Sequence, residues 1–143
     1  MCRMKNCWFI LSLSLCGACS SGSNISEQIE SQFKAGEATS VNLAVVGPAS
    51  WDRVCVLRPY TDNQRTGQVL GLKWDSEAKT SIAESDGINV LVFVQGKEVV
   101  AHTEHPRSKG DFSQLQPQCN PRSMATVTRT VGSGGWVYLF AAQ

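Results

Sequence analysis

The densest run of ionisable side chains in this sequence is HTEHPRSKGD, residues 102–111, which holds both histidines. Three chemistries fit such a run. His102, Glu104 and His105 are imidazole and carboxylate groups of the kind that ligate zinc. On a strand, however, side chains alternate, so His102 and Glu104 share a face and His105 points away. A third ligand on that face would have to come from elsewhere, and Asp111 is the nearby guess. Alternatively, His102 with Glu104 as its orienter makes an acid–base pair, because a carboxylate fixes the imidazole tautomer and raises its basicity. No nucleophile is marked for that pair: the chain has no Gly-x-Ser-x-Gly and no two acids at a catalytic spacing. The third reading is a binding loop on a rigid hairpin. Arg107 and Lys109 flank a serine just before Gly110 and would meet an anionic group together. Arg53 and Arg58 would join them if the fold allows. The plain alternative is a polar strand end running into a solvated loop. No metal or cofactor is assigned, and the ligand-binding set is His102, Glu104, Arg107, Lys109 and Asp111.

Other features carry less. His-x-Glu matches half of the zinc-deaminase signature, but QPQCNP offers one cysteine where Pro-Cys-x-x-Cys is required. Trp51, Trp74, Trp136, Tyr60 and Tyr138 would line a ligand cleft or build a core, and for Trp51 and Trp136 core is the expectation. GSGGW lacks the Lys and Ser/Thr of a phosphate loop and fits a hairpin turn.

Location is written in the first 24 residues. A basic start with Arg3 and Lys5 leads into an apolar run, residues 7–15, too short for the roughly 20 residues that span a bilayer. Gly17-Ala18-Cys19 follows, with Cys16 three positions before Cys19. Cys-x-x-Cys can be a redox pair or half a zinc site, but no second ligand pair completes it. Gly17-Ala18-Cys19 instead resembles the lipobox of bacterial lipoproteins, with Cys16 standing where that class usually has Leu. The resemblance covers only this segment. It implies a signal peptide over residues 1–18, an acylated Cys19 that anchors the chain in the membrane, and a Ser/Gly-rich tether over residues 19–24; an ordinary secretion signal cut after Ala18, with Cys19 unmodified, is the alternative. Ser20 then implies sorting to the outer membrane in a host with two membranes. If Cys2, Cys7 and Cys16 leave with the signal and Cys19 is acylated, Cys55 and Cys119 have each other in an oxidising compartment, and a disulfide is expected. Two unrelated buried thiols are the alternative.

The elements that must position these residues follow from periodicity. The 143 residues suffice for one domain, and 42% hydrophobic content suffices for its core. Net charge is +1, with no basic excess of the kind nucleic-acid binding needs. Ile25, Ile29 and Phe33 form one helical stripe, with Asn24 and Glu27 placed like a capping box. Strands are expected over residues 39–47 and 51–57, the second central. A short helix should start at Thr61 or Asp62 and stop at Gly71, with another turn or two capped near Asp75. Residues 88–105 read as a hairpin around Gly96-Lys97, residues 105–121 as a long loop, and residues 124–142 as a second hairpin with its last strand inside the sheet.

The sum is a single α+β domain over residues 25–143. It has a mostly antiparallel sheet of about five strands, two or three short helices and one disulfide. The expected function is that of a membrane-tethered envelope lipoprotein acting as a binding or accessory module. Its partner would be an envelope protein or an anionic envelope ligand, such as a lipid phosphate or peptide carboxylate. A small periplasmic enzyme using His102 and Glu104, and a structural partner docking through the Ile25 helix or a sheet edge, are the rival expectations.

Overall fold

A computed structural model describes residues 22–34 and 39–142. The expected signal peptide, and Cys19 with it, lie outside the described residues. Helix α1 (Gly22–Lys34) is followed by β1 (Ser40–Asn42), β2 (Arg53–Leu57), α2 (Asn63–Leu70), α3 (Ser76–Lys79), β3 (Ile88–Gln95), β4 (Glu98–Pro106), β5 (Cys119–Pro121), β6 (Thr126–Val131) and β7 (Val137–Ala141). Over the described residues the fold is α+β, with seven strands, all antiparallel, in two sheets. One sheet runs β4-β3-β2-β5 and the other β1-β6-β7.

Local chemistry sets several boundaries. Asp62 caps α2 by accepting from the Arg65 N–H at 2.7 Å, and Gly71 closes it in the left-handed region at φ 69°. Asp75 caps α3 through the Ala78 N–H. The β3–β4 hairpin turns at Gly96-Lys97, with Gln95 opposite Glu98. Helix α1 begins earlier than its sequence suggests, so Asn24 lies inside it and accepts from the Gln28 side chain instead of capping. The segment after residue 39 stays extended only to Asn42. There the Asn42 side chain accepts from Ala44 N–H and folds residues 43–45 into a 3-10 turn, so the long strand expected over residues 39–47 does not form.

The four-stranded sheet is covered on both faces. Val54, Val56, Leu91 and Phe93 point toward α1 and the three-stranded sheet, whose Val41, Val127 and Leu139 complete that core. Ile25 and Ile29 of α1 are buried there, so this stripe packs on the chain's own sheets. On the opposite face, Leu57, Val90, Val92 and Val94 pack under Leu70 and Ile82. Burial on both faces explains why β2 and β3 read as unbroken apolar runs. The expectation of one sheet gives way to two because β6 pairs with β1 and leaves the β2–β3 sheet alone; β7 is paired to β6 at an edge of the smaller sheet.

Cys55 and Cys119 stand directly opposite each other on β2 and β5, with Cα atoms 4.0 Å apart, and form a disulfide. Their sequence separation is 64, and chain-entropy reasoning assigns a loop of that size about 4 kcal/mol.

Candidate functional site

The alternation of β4 divides the ionisable run between two faces, as its sequence implies. His102 lies on the α2–α3 side, half-buried, with its ring edge-to-face against Trp74 at 5.1 Å. Burial holds its pKa below the ordinary imidazole value, against weaker upward pulls from the Lys79 backbone and the Glu104 charge. Glu104 is not its orienter. One oxygen of that carboxylate accepts from both the Ser81 N–H at 2.6 Å and the Ser81 hydroxyl at 2.9 Å, tying β4 to the turn after α3.

His105 faces the other way and is fully buried between β4 and α1. Its Nδ1 shares a 2.8 Å hydrogen bond with the Ser26 hydroxyl of α1, and its ring meets Phe112 edge-on. Burial pushes the imidazole down to about 4; the Glu30 charge and, more weakly, the Lys109 backbone oppose it. Its Nε2 makes no hydrogen bond of normal geometry. A Ser–His pair can be a nucleophile with its base. Here no acid orients the ring through Nε2, and both side chains are buried, so no reacting atom can approach the hydroxyl. The pair pins α1 to the sheet. It was invisible in sequence because the partners stand 79 positions apart.

Arg107, Lys109 and Asp111 form a brace. The buried Asp111 carboxylate accepts from Arg107 at 2.8 Å, from the Ser113 N–H at 2.9 Å and from the Trp136 indole at 3.2 Å. Burial is the largest single influence on this acid and would raise its pKa. The donors from Arg107, Ser113 and Trp136 together outweigh it and hold the carboxyl below its ordinary value. Arg107 also donates to the Asp86 carbonyl and lies over the Trp136 ring at 5.8 Å. Lys109 pairs with Glu30 of α1 at 2.8 Å. Gly110 makes this geometry possible: at φ 138° a side chain is strained, and a Cβ there would sit 3.2 Å from Leu139 and 3.3 Å from Phe33.

The five ligand-binding residues of the sequence reading therefore do not converge. His102 lines an open hollow of about 510 Å³ with Trp74 and Lys79. Glu104 lines the adjoining hollow of about 560 Å³. Lys109 lines a cleft of about 200 Å³ with Phe33 and Arg129, beneath α1. Arg53 does not join Arg107: it holds the Gly96 carbonyl at the turn end of the hairpin, while Arg107 follows the opposite end. Arg58 donates to the Leu115 carbonyl. Among the described residues, no group of three or more His, Cys, Asp or Glu is placed to hold a metal ion.

Among the aromatics, Trp51 is core, edge-to-face on Phe93 at 5.1 Å beneath the Arg122 guanidinium. Trp136 departs from the core expectation, being 36% exposed just before β7. Comparison with protein-family models, with curated proteins and with solved structures finds no match to this chain.

Proposed function

We propose that this chain is a small, lipid-anchored binding or accessory module of a bacterial cell envelope. It is attached through acylated Cys19 and faces the periplasm from the outer membrane of a two-membrane host. The observation that carries this reading is the Cys55–Cys119 disulfide. A bridge of this kind persists in an oxidising compartment beyond the cytoplasm, which is where the lipobox-like Gly17-Ala18-Cys19 would deliver the chain. A binding role is favoured over catalysis because Glu104, the expected orienter of His102, is held by Ser81 instead, and Asp111 and His105 are engaged by Arg107 and Ser26.

Intact-mass analysis of the protein purified from membranes tests this reading. The expected mature chain starts at Cys19, carries covalent lipid there and holds Cys55 and Cys119 oxidised. A mature chain beginning at unmodified Cys19, or one that keeps residues 1–18, overturns it.

A further inference from the structure

One surface of the molecule is polar and carries little charge. The strands of the three-stranded sheet alternate, sending Val41, Val127 and Leu139 inward and the residues between them outward. The pairing registers lay out the outer side chains in cross-strand rows. Ser40, Thr128 and Phe140 form one row, Thr130 and Tyr138 the next, and Asn42 and Thr126 a third. Among the described strand positions no charged residue stands on this face; at its β7 edge Asp111 bridges Tyr138 and Arg107 lies over Trp136. That is unusual for the wet side of an antiparallel sheet in a chain that carries 13 basic and 12 acidic residues.

The aromatic residues are aligned rather than scattered. Residue 136 is also extended (φ −69°, ψ 131°), so Trp136, Tyr138 and Phe140 follow one another on the same side of the chain. Successive members stand roughly 6.6–6.8 Å apart along the strand. Phe140 is 39% exposed. Gly132 lets the Tyr138 ring lie down on the hairpin, since a Cβ there would sit 2.8 Å from that ring. Arg107, the cation over Trp136, is already paired with Asp111.

We infer that this face binds an uncharged glycan strand of the cell wall, its N-acetylated sugar rings stacking on the Trp136–Tyr138–Phe140 stripe and its hydroxyl and amide groups bonding to the Thr/Ser/Asn rows. The inference deepens the envelope-module reading and rests on it for the source of the glycan. Charge matching selects this occupant. Nucleic acids and anionic lipid surfaces need several free lysines or arginines, whereas the cation at this face, Arg107, is already paired with Asp111. A protein partner would be met by an apolar patch core, whereas here Thr130 stands beside Tyr138 and Thr128 beside Phe140. A pyranose ring carries an apolar C–H face and a polar rim, which is the same pairing of chemistries. Aromatic side chains offer the matching apolar surface at little entropic cost.

Co-sedimentation of the detergent-purified mature chain with isolated peptidoglycan sacculi tests this. Retention is expected, unchanged at high salt because no ion pair carries it. Phe140→Ala and Thr128→Glu should each weaken retention about tenfold, the scale of one aromatic contact or one misplaced charge. Gln64→Glu, on exposed α2, should leave it unchanged. No retention, retention abolished by salt, or retention unaffected by Phe140→Ala and Thr128→Glu each overturns the assignment. So does a self-associated species in sedimentation velocity that Thr128→Glu dissolves, which would make the occupant a second copy. None of these outcomes touches the lipid anchor, which the intact mass judges separately.

Discussion

Residues 102–111 and the outer face of β6 and β7 are two polar regions of one small domain, and they are used in opposite ways. The first is dense in charge and committed to internal contacts: its carboxylates, its cations and one of its histidines brace α1, the turn after α3 and Trp136 beside β7. The second carries no charge at its strand positions and is more open to solvent, with Thr128, Thr130 and Phe140 exposed. The density of reactive residue types is thus a poor guide to where such a domain meets its surroundings. A buried carboxylate must be paired, so a charged run beside a core is committed to structure before it is available for function.

Breaking the inward region should cost stability in proportion to burial. The largest effect is expected for Asp111→Ala, which strands Arg107, the Trp136 indole and the Ser113 N–H; urea unfolding should show a loss of roughly 3 kcal/mol. His105 gives a pH signature of similar size. Its pKa is about 4 when folded, against an ordinary value of 6.5 when unfolded, so the unfolded state binds the extra proton first as pH falls. Stability should be full above pH 6.5 and decline by up to about 3 kcal/mol as pH falls toward 4. Replacing His105 with Gln should flatten that window in thermal melts. Asp111 acts lower, its contribution fading only as pH falls below the ordinary carboxylate range.

Smaller effects mark the edges of the comparison. Asp62→Ala removes the α2 cap and should cost about 1 kcal/mol. Lys109→Ala breaks a pair whose lysine is half exposed, so urea unfolding should change by less than about 1 kcal/mol. Thr128→Glu, on the outward face, should stay within about 0.5 kcal/mol. A large loss there would mean that the face holds the fold together after all.

Much of this fold is legible locally. Asp62 and Gly71 bracket α2, Gly96-Lys97 turns the hairpin, and period-two alternation separates His102 and Glu104 from His105. Cys55 and Cys119 are legible by elimination once Cys19 is set aside. The rest depends on distant partners. Nothing near Ser26 announces His105, and nothing near Asp111 announces Trp136, which is 25 positions away. The split into two sheets is likewise decided by the pairing of β1 with β6, not by the periodicity of either strand. The aromatic stripe lies in plain view as WVYLF, yet its role depends on which side of the sheet is covered.

Chemical-shift mapping on the isotope-labelled mature chain, titrated with a soluble oligosaccharide of N-acetylglucosamine, sets the two regions against each other. The expected result is perturbation concentrated on β1, β6 and β7 around Thr128, Tyr138 and Phe140, with the His102 and Glu104 signals unmoved. Perturbation centred on residues 102–111, with the β6–β7 face silent, would contradict it.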